Sequence, residues 1–422
     1  MTTIIELFDS EQIENIVSCF AFKPDKLIFI GYKIPTKKRK AIENFVHGRG
    51  LFPEFEYITI YDYEMIDVIR KIENIVNENE DCAFELTGGD EVIAAAVGYV
   101  AVSRNLKIFR YDIPSRRAIG IYNCIPPIPD KLPQMSIEEA IKLHNGTIVK
   151  QDTYPKWSMS EEFINDVMTF WKIYSKNCSG WNQYMQRLSL GSSEFSKRHV
   201  TGTFLQTHIP VKIFRTLMGI GFIKDFELIG NKFSFTFKNS ELMHLFVKAG
   251  NMLELYTYIN VRNITEGGES FFSDSDIGVM IDWGNTSQTR NSGTRNEIDV
   301  IAMRGVTPVF ISCKSGEFKK EALYELQAVA EKFGGQYAKK ILVTTYIGSE
   351  NTAKYIRQRA QDMGIVLIDH VHEKTPEQLQ TEIKNAVGGY RESANKHYPS
   401  KQLQTEYTEE QISLNDEILM LA

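Results

Sequence analysis

The stretch NEIDVIAMRGVTPVFISCKSG, residues 296–316, decides the fold class of the C-terminal part of the chain. Two apolar runs, VIAM and PVFI, flank a short polar loop, and this pattern predicts a β-hairpin. Neither run has a polar face, so we expect the hairpin to lie inside a sheet. Glu297, Asp299 and Lys314 would then stand at the buried end of the hairpin. Buried charge is costly unless it is paired, so these side chains need a partner.

The register of the hairpin predicts which of these side chains meet. A loop over Arg304–Thr307 pairs Met303 with Pro308, Asp299 with Ser312 and Glu297 with Lys314. Directly opposed side chains have Cβ atoms about 5 Å apart. Two carboxylates and the Ser312 carbonyl form a hard-oxygen set that suits Mg²⁺ or Mn²⁺. Lys314 could orient an attacking water or balance charge on a phosphate. The alternative is an ordinary Glu–Lys ion pair on a sheet surface.

Composition is typical of a globular intracellular protein. The 422 residues allow two or three domains, with 43% hydrophobic and 24% charged residues. No apolar run approaches the roughly 20 residues that span a bilayer, and the first residues carry acids where an export signal needs a basic start. Five cysteines without a CxxC pair favour a reducing compartment. We therefore expect a cytoplasmic protein that does not enter a membrane.

The net charge of −6 means that the whole molecule does not attract polyanions, so nucleic acid would bind at local basic patches. The candidate patches are residues 33–40, Arg116–Arg117 and residues 196–199. Each of them could equally be a solvated surface without a partner.

Residues 1–145 alternate strand-like and helix-like segments. Predicted strands are TTIIELF, DKLIFIGY, FEYITIYD, CAFELTG and LKIFRYD, and predicted helices are SEQIENIVSCF, PTKKRKAIENFV, EMIDVIRKIENIV and GDEVIAAAVGYVAVSR. The alternation predicts an α/β domain with a mostly parallel, Rossmann-like sheet. A proline-rich run at residues 123–134 ends it.

The remainder of the chain predicts two more domains and a tail. In residues 150–240, helices precede two strand-like runs joined at Gly230–Asn231, which predicts a small winged-helix-like linker. Residues 241–390 open with a long amphipathic helix that Gly250 interrupts and continue with strands and helices of an α/β domain. Residues 391–422 are a polar tail.

The hairpin resembles the core of the PD-(D/E)XK nucleases, the restriction-endonuclease-like fold. Asp299 matches the family's second-strand Asp, and Lys314 in FISCKSG matches its lysine. The third-strand acid is absent, since Ser312 stands in its place, and Glu297 is the candidate substitute. The resemblance implies an upstream helical Glu, for which AGNMLELYTY offers Glu254. Weaker candidates are Asp276, Asp282, Gln327 and residues 369–372.

In residues 85–101, a strand leads through Thr87, Gly88 and Gly89 into an Ala-rich helix. Free N–H groups at a helix start, with glycines that permit close approach, form an anion site. The alternative is a tight turn with Asp90 as the N-cap. Neither GxGxxG nor GxxxxGK[ST] is present, so the sequence gives no support for a nicotinamide cofactor or ATP.

Taken together, a Rossmann-like domain with a strand–TGG–helix unit, a linker and a PD-(D/E)XK block resemble the CARF-domain effector nucleases of type III CRISPR systems. The resemblance implies a homodimer whose sensor domains enclose a cyclic oligoadenylate, most simply cyclic tetra-adenylate. Thr87, Gly88 and Gly89 match the ligand loop, and Phe8, Asp9 and Ser10 after the first strand are the other implied contacts. The acids Asp90 and Glu91 depart from the family pattern.

The functional hypothesis is a cyclic tetra-adenylate-activated, metal-dependent endonuclease acting on DNA or RNA in antiviral defence. Lys314, Asp299, Glu297 and Glu254 would be catalytic, with the three acids and Ser312 holding the metal. One alternative is a nucleotide-sensing winged-helix transcription regulator with a non-catalytic C-terminal domain. Another is a nuclease that needs no activator.

Overall fold

The structure is a computed structural model that describes residues 3–61, 63–79, 81–124, 133–149, 157–191, 197–204, 211–283 and 295–388. The predicted tail, 391–422, and Ser196 of one basic patch lie outside these residues. Within them the chain is a mixed α/β protein, as the sequence predicts. None of the helices in these ranges is long and apolar enough to cross a bilayer.

The N-terminal sheet has six strands in the order β3-β2-β1-β4-β5-β6. Its elements are β1 (Thr3–Leu7), α1 (Val17–Phe22), β2 (Lys26–Gly31), α2 (Thr36–Gly48), β3 (Glu54–Thr59), α3 (Met65–Glu78), β4 (Cys82–Glu85), α4 (Glu91–Ser103), β5 (Lys107–Asp112) and β6 (Arg117–Tyr122). The strands β1 to β5 are parallel, and β6 pairs antiparallel with β5. All five predicted strands are confirmed, while the antiparallel β6 was not predicted.

The order of this sheet places two loops next to each other. Because β1 and β4 are adjacent and parallel, the loops that follow Leu7 and Glu85 leave the same edge. Strands β1 and β2 are buried almost throughout, as expected for a sheet covered on both faces. Ligands of open α/β sheets bind at such carboxyl ends of strands.

The middle segment consists of helices and a small antiparallel sheet. Its elements are α5 (Ile137–Leu143), β7 (Thr147–Ile148), α6 (Glu161–Tyr174), α7 (Cys178–Gly191), β8 (His199–Thr203), α8 (Val211–Gly219), β9 (Ile223–Ile229), β10 (Lys232–Phe237) and α9 (Ser240–Val247). The predicted hairpin β9–β10 turns at Gly230, whose φ of +61° suits glycine. The strand β8 adds to β10 and completes a three-stranded sheet.

The C-terminal segment contains a second six-stranded sheet in the order β17-β16-β15-β14-β13-β7. Its elements are α10 (Asn251–Arg262), β11 (Thr265–Glu266), β12 (Glu269–Ser270), β13 (Asp274–Asp282), β14 (Arg295–Arg304), β15 (Thr307–Lys314), α11 (Glu321–Gly334), the 3-10 turn Gly335–Tyr337, β16 (Lys339–Thr344), α12 (Glu350–Asp362), β17 (Ile365–Ile368), the 3-10 turn Val371–Glu373 and α13 (Pro376–Gly388). The hairpin β14–β15 is central, as its apolar runs predict.

The long helix expected after residue 241 is two helices. The chain breaks over Lys248–Gly250 between α9 and α10. The helix α10 was expected to be amphipathic, but Asn251–Val261 are all buried, because α6 covers one side and β13 to β15 the other. The break places Lys248 at the edge of the sheet, beside the open end of the hairpin.

The expected boundary near residue 145 falls within structure that joins the C-terminal sheet. The strand β7 pairs with β13, and the amide of Ile137 donates to Asp274 at 2.9 Å. By its contacts Met1–Val387 form one unit, so the three segments pack against one another. The division at 1–145, 150–240 and 241–390 stays a prediction.

Candidate active site

The hairpin β14–β15 has the predicted register at its closed end. Met303 pairs with Pro308, and the ladder continues to Val300 and Ile311, the last pair that the described residues show. Beyond this pair the carboxylate of Asp299 bridges the strands. Its Oδ2 accepts a 2.7 Å hydrogen bond from the amide of Cys313 and a 3.1 Å bond from Ser312 Oγ. The Ser312 hydroxyl and the Cys313 amide therefore hold Asp299 in place.

Lys314 ends β15 and reaches Asp299. Its Nζ lies 3.7 Å from Asp299 Oδ2. The carbonyl of Lys314 accepts hydrogen bonds from Thr344 Oγ1 at 2.8 Å and from the Thr345 amide at 3.2 Å, so the adjacent strand β16 fixes its backbone. The position of this lysine is set by the sheet rather than by a loop.

Glu297 lies beyond the last hydrogen-bonded pair of the β14–β15 ladder, so its expected position opposite Lys314 stays a prediction. On the other side of β14 its backbone pairs with Met280 of β13. Its Oε1 lies 3.5 Å from the Nζ of Lys248. The glutamate still belongs to the cluster, through a lysine that the sequence analysis did not identify.

Glu254 lies in the first turn of α10 and is 7% exposed. Its Oε1 is 3.4 Å from Lys248 Nζ, so one ammonium lies between Glu254 and Glu297. A side chain at Gly250 would place its Cβ 2.9 Å from this carboxylate. The glycine that interrupts the helix thus leaves room for the acid behind it.

The charges of this cluster are strongly coupled. Burial raises the pKa of Glu254 to about 7, and the nearby charge of Asp299 acts in the same direction. Burial would lower the pKa of Lys248, but Glu254, Glu297 and Asp299 outweigh it, and the pKa is raised. The cluster therefore favours a positive charge at its centre.

The donors suit a hard divalent cation, although they are not gathered around one point. In the described ranges, no three His, Cys, Asp or Glu side chains stand close enough together to hold a metal ion. Lys248, whose side chain is about half exposed, supplies the positive charge between two of the carboxylates. Two carboxylates that share one ammonium, with Asp299 nearby, are hard oxygen ligands of the kind that Mg²⁺ or Mn²⁺ prefers.

The cluster opens into a cleft of about 1130 Å³. Glu254, Asp299 and Lys314 lie on one wall, and polar residues of α7 lie on another. A smaller cavity of about 270 Å³ adjoins it and is lined by Glu297, Ser312 and residues of α11. A polymer can reach the acids from the larger side.

The weaker candidates lie elsewhere or have other partners. Gln327 donates to Glu331 on its own helix, and Asp282 is 3.8 Å from Arg295. Asp369 pairs with Arg357. Asp276 has a pKa raised by burial and pairs with Ile301 on β14. Among residues 369–372, His372 lines the large cleft.

In the N-terminal domain the structure brings the two predicted ligand loops together. Asp9 Oδ2 accepts a 2.8 Å hydrogen bond from the amide of Gly89, and Ser10 and Phe8 flank it. Gly89 has a φ of +106°, and a Cβ there would meet Leu7. Thr87 Oγ1 accepts from the amide of Tyr111 at 2.9 Å. The amide that was expected to face an anion is bonded to an aspartate of the same chain.

The turn that follows also matches the alternative interpretation, a tight turn in which Asp90 is the N-cap of α4. Asp90 caps α4, since its Oδ1 accepts from the amides of Val92 and Ile93. Its carboxylate is thereby directed at its own helix. The capped turn and the two adjacent loops coexist, so the capping does not exclude a ligand.

Two further acids, Glu11 and Glu14, connect these loops to the C-terminal segment. The amide of Gln336 donates to Glu11 at 3.0 Å, its side chain donates to Glu14 at 2.8 Å, and the hydroxyl of Tyr337 donates to Glu14. A Cβ at Gly88 would meet the carboxylate of Glu14. Burial raises the pKa of Glu14 to about 7. One carboxylate therefore touches both the glycine loop and the turn after α11.

Comparison with known proteins identifies the C-terminal part. Residues 243–386 match the model of the Card1-like endonuclease domain. The match covers about a third of the chain and makes this segment similar to a Card1-like endonuclease domain. Among curated proteins, none matches this sequence.

Two solved structures share the fold of nearly the whole chain. Protein VC1899 from Vibrio cholerae has a TM-score of 0.70 and 17% identity, over 92% of this chain and 99% of that one. Can2 from Sulfobacillus thermosulfidooxidans, solved with cyclic tetra-adenylate, has a TM-score of 0.65 and 16% identity, over 92% and 97%. The predicted resemblance to CARF-domain effector nucleases is confirmed in fold and in the presence of an endonuclease domain.

Two contributors to the site were missed by the sequence analysis. Lys248 stands two residues before Gly250, and a lysine at the break between two apolar helices was an available signal. The helix α7 was not predicted, although Trp181, Tyr184, Met185 and Leu188 recur at helical spacing in CSGWNQYMQRLSLG, which was an available signal.

Proposed function

We propose that this chain is a metal-dependent endonuclease of type III CRISPR antiviral defence that cyclic tetra-adenylate switches on. One observation carries the proposal. Asp299, Lys314 and Glu254 meet at the edge of a cleft within a segment that matches an endonuclease family. The substrate would be a DNA or RNA phosphodiester.

In the proposed site, Asp299 and Glu254 would hold Mg²⁺ or Mn²⁺, together with Glu297 and the carbonyl of Ser312. A bound divalent ion supplies Lewis-acid polarisation of the phosphate and a more acidic water. Ser312 Oγ and the Cys313 amide orient Asp299 toward the cleft. This arrangement corresponds to the PD-(D/E)XK class with a serine in place of the third-strand acid.

Lys314 is proposed to place the attacking water and to stabilise charge on the phosphate. Its ammonium lies 3.7 Å from Asp299, and its backbone is fixed by Thr344 and Thr345. A fixed ammonium beside the cleavage point costs little reorganisation during the reaction. When no metal ion is bound, the ammonium of Lys248 would balance the negative charge of the acids.

The activator would lie over the loops that contain Phe8, Asp9 and Ser10 and Thr87, Gly88 and Gly89. Can2, which shares the fold, was solved with cyclic tetra-adenylate. A ligand phosphate would compete with Asp9 for the amide of Gly89, as both are anions that accept from the same donor. Ligand binding would thereby disturb the acids that follow Asp9.

A contact within the chain offers a route for this disturbance. Glu14 touches Gly88 on one side and binds Gln336 and Tyr337 on the other. These two residues follow α11, whose residues line the smaller cavity beside Glu297. A ligand can regulate only if it favours one arrangement of this contact over another.

The active form is proposed to be a cytoplasmic homodimer. Tyr99 and Val102 on α4 are 58% and 56% exposed, and Met65 and Ile66 on the adjacent α3 are also exposed. Large exposed apolar groups that cluster on one face suit a protein partner, and α4 begins at the ligand loop. Tyr99→Asp is expected to shift the mass in solution from dimer to monomer.

The test combines both parts of the proposal. The protein is incubated with Mn²⁺, single-stranded RNA and supercoiled plasmid, with and without cyclic tetra-adenylate. Cleavage of at least one substrate only with ligand is expected. Cutting that is equal without ligand would support a nuclease that needs no activator. The transcription-regulator alternative has no supporting observation, and absence of cutting together with sequence-specific DNA binding would revive it.

A further inference from the structure

The helix α7 presents a row of uncharged polar side chains to the cleft that contains the acids. Ser179, Asn182, Gln183, Gln186 and Ser189 line this cleft with Asp299 and Lys314. Their spacing of three or four residues places them along one side of the helix. The residues on the other side, among them Trp181 and Leu188, are buried in the core.

The composition of this row is unusual for a helix face in contact with water. Among the 14 residues of α7, Arg187 is the one charged residue, and it is not in the row, although 24% of the chain is charged. Solvated helix faces are generally rich in charge. Amides and hydroxyls offer both donors and acceptors, which match base edges and sugars and can also donate to phosphate oxygens, but they supply no charge to attract a phosphate.

A hydrogen bond holds the row in place beside the end of β15, the strand that contains Lys314. The side-chain amide of Asn182 donates to the carbonyl of Ser315, the residue after Lys314, and the hydroxyl of Tyr174 donates to Asn182 Oδ1 at 2.8 Å. The helix and the end of β15 therefore form two sides of one rigid cleft. At about 1130 Å³ this cleft exceeds the roughly 300–1,000 Å³ of small-molecule sites, as an extended polymer requires.

We infer that the cleft-facing side of α7 holds the substrate strand, with Gln183 and Gln186 hydrogen-bonded to its bases and sugars next to the cleaved phosphodiester. This inference rests on the proposed endonuclease function. It specifies that the middle segment, through α7, contacts the bases and sugars of the substrate. Asn182 is a positioning residue, since it acts through Ser315. The phosphates of the substrate would lie on the opposite wall of the cleft, next to Lys314 and the acids that would hold the metal ion.

The test uses Gln183→Leu together with Gln186→Leu. The matched control is Gln358→Leu, an exposed glutamine on α12 away from the cleft. With cyclic tetra-adenylate and Mn²⁺ present, the double variant should raise KM about 10-fold, since two hydrogen bonds are lost, while kcat stays within about 2-fold. The control should match the wild type in both constants.

Binding is measured separately from cleavage in the Lys314→Ala background, by fluorescence anisotropy with a labelled oligonucleotide. The double variant should bind about 10-fold more weakly. Gln186→Glu keeps the side-chain shape and adds a charge, so it should weaken binding most at low salt. Thermal unfolding and cyclic tetra-adenylate binding check that each variant is folded.

The outcomes separate this inference from the proposed function. Unchanged KM and unchanged binding in both variants would overturn the inference, as would a lower kcat with the same KM, which indicates a structural role. If the wild type cuts nothing but oligonucleotide binding still depends on Gln183 and Gln186, the proposed endonuclease function fails, while α7 is still supported as a binding surface for nucleic acid.

Discussion

Two clusters of three acids, one in each α/β domain, differ in the groups that surround them. In the endonuclease domain, Glu254, Glu297 and Asp299 lie beside the ammonium groups of Lys248 and Lys314. In the N-terminal domain, Asp9, Glu11 and Glu14 are bonded by backbone amides, by the side chains of Gln336 and Tyr337 and, at Glu11, by the ring of His144. Each cluster contains one carboxyl group whose pKa burial raises to about 7.

The difference in partners indicates a difference in use. The ammonium of Lys248, about half exposed beside the cleft, can be replaced by another cation, so the first cluster is suited to a metal and a phosphate. Backbone amides, the side chains of Gln336 and Tyr337 and the ring of His144 tie the second cluster into a contact between two segments, in which the described residues show no lysine or arginine partner. An anionic ligand near that contact must rearrange it. The predictions below compare the two clusters, beginning with the largest effect.

Asp299→Asn should abolish most of the cleavage. The substitution keeps the shape and removes the charge that holds the proposed cation and faces Lys314, so a loss of more than about 100-fold is expected in single-turnover cleavage. Asp276→Asn on the neighbouring strand β13 is the matched control and should retain activity. Equal activity of both variants would show that this cluster has no catalytic part.

Lys248→Met should shift the pH dependence of cleavage. The ammonium lowers the pKa of Glu254, which burial and Asp299 raise to about 7. Without it that pKa rises further, so Glu254 is protonated over a wider range and the acid limb of the pH–rate profile should move up by about one pH unit. A profile with an unchanged acid limb would separate Glu254 from the reaction.

Tyr337→Phe should weaken activation but not ligand binding. The variant removes the hydroxyl that donates to Glu14 and leaves the ring in place. The ratio of cleavage with and without cyclic tetra-adenylate should fall about 5-fold, within the usual range of coupling energies. Tyr324→Phe, on the exposed side of α11, is the control. An unchanged ratio in Tyr337→Phe would exclude this contact as the route.

Glu14→Gln should change stability in a pH-dependent way. Since the folded pKa of about 7 exceeds the ordinary 4.5, the stability that Glu14 contributes is present below about pH 4.5 and is lost as the pH rises to about 7. The variant lacks this loss, so its Tm should exceed that of the wild type by about 2 °C at pH 8. At pH 4.5 the two melting temperatures should agree. A difference that is equal at both pH values would contradict the raised pKa.

The sequence was sufficient for those parts of the fold that local patterns determine. Alternating apolar runs predicted the five parallel strands of the first sheet, and the polar loop with Gly305 fixed the register of β14–β15 up to Val300–Ile311. The antiparallel β6, a mostly exposed edge strand, was missed, and so was the helix α7, although its apolar residues recur at helical spacing. The all-buried α10 followed from packing that no single segment determines.

The site was predictable in its residues but less so in its contacts. Asp299 and Lys314 meet as the register argument requires. The contact of Glu297 with Lys248 was not predicted, because Lys248 comes from the break between α9 and α10, far from β14 in the sequence. The cross-domain contact of Glu14 joins residues more than 300 positions apart. Such contacts come from tertiary packing, which local sequence patterns do not report.

The most direct test of the account is the single-turnover cleavage rate at saturating Mn²⁺ and cyclic tetra-adenylate, compared among wild type, Lys314→Ala and Lys319→Ala. Lys319 is exposed and lies five residues further along the chain. The account predicts a loss of more than about 100-fold in Lys314→Ala and a wild-type rate in Lys319→Ala. Cleavage by Lys314→Ala at the wild-type rate would contradict it.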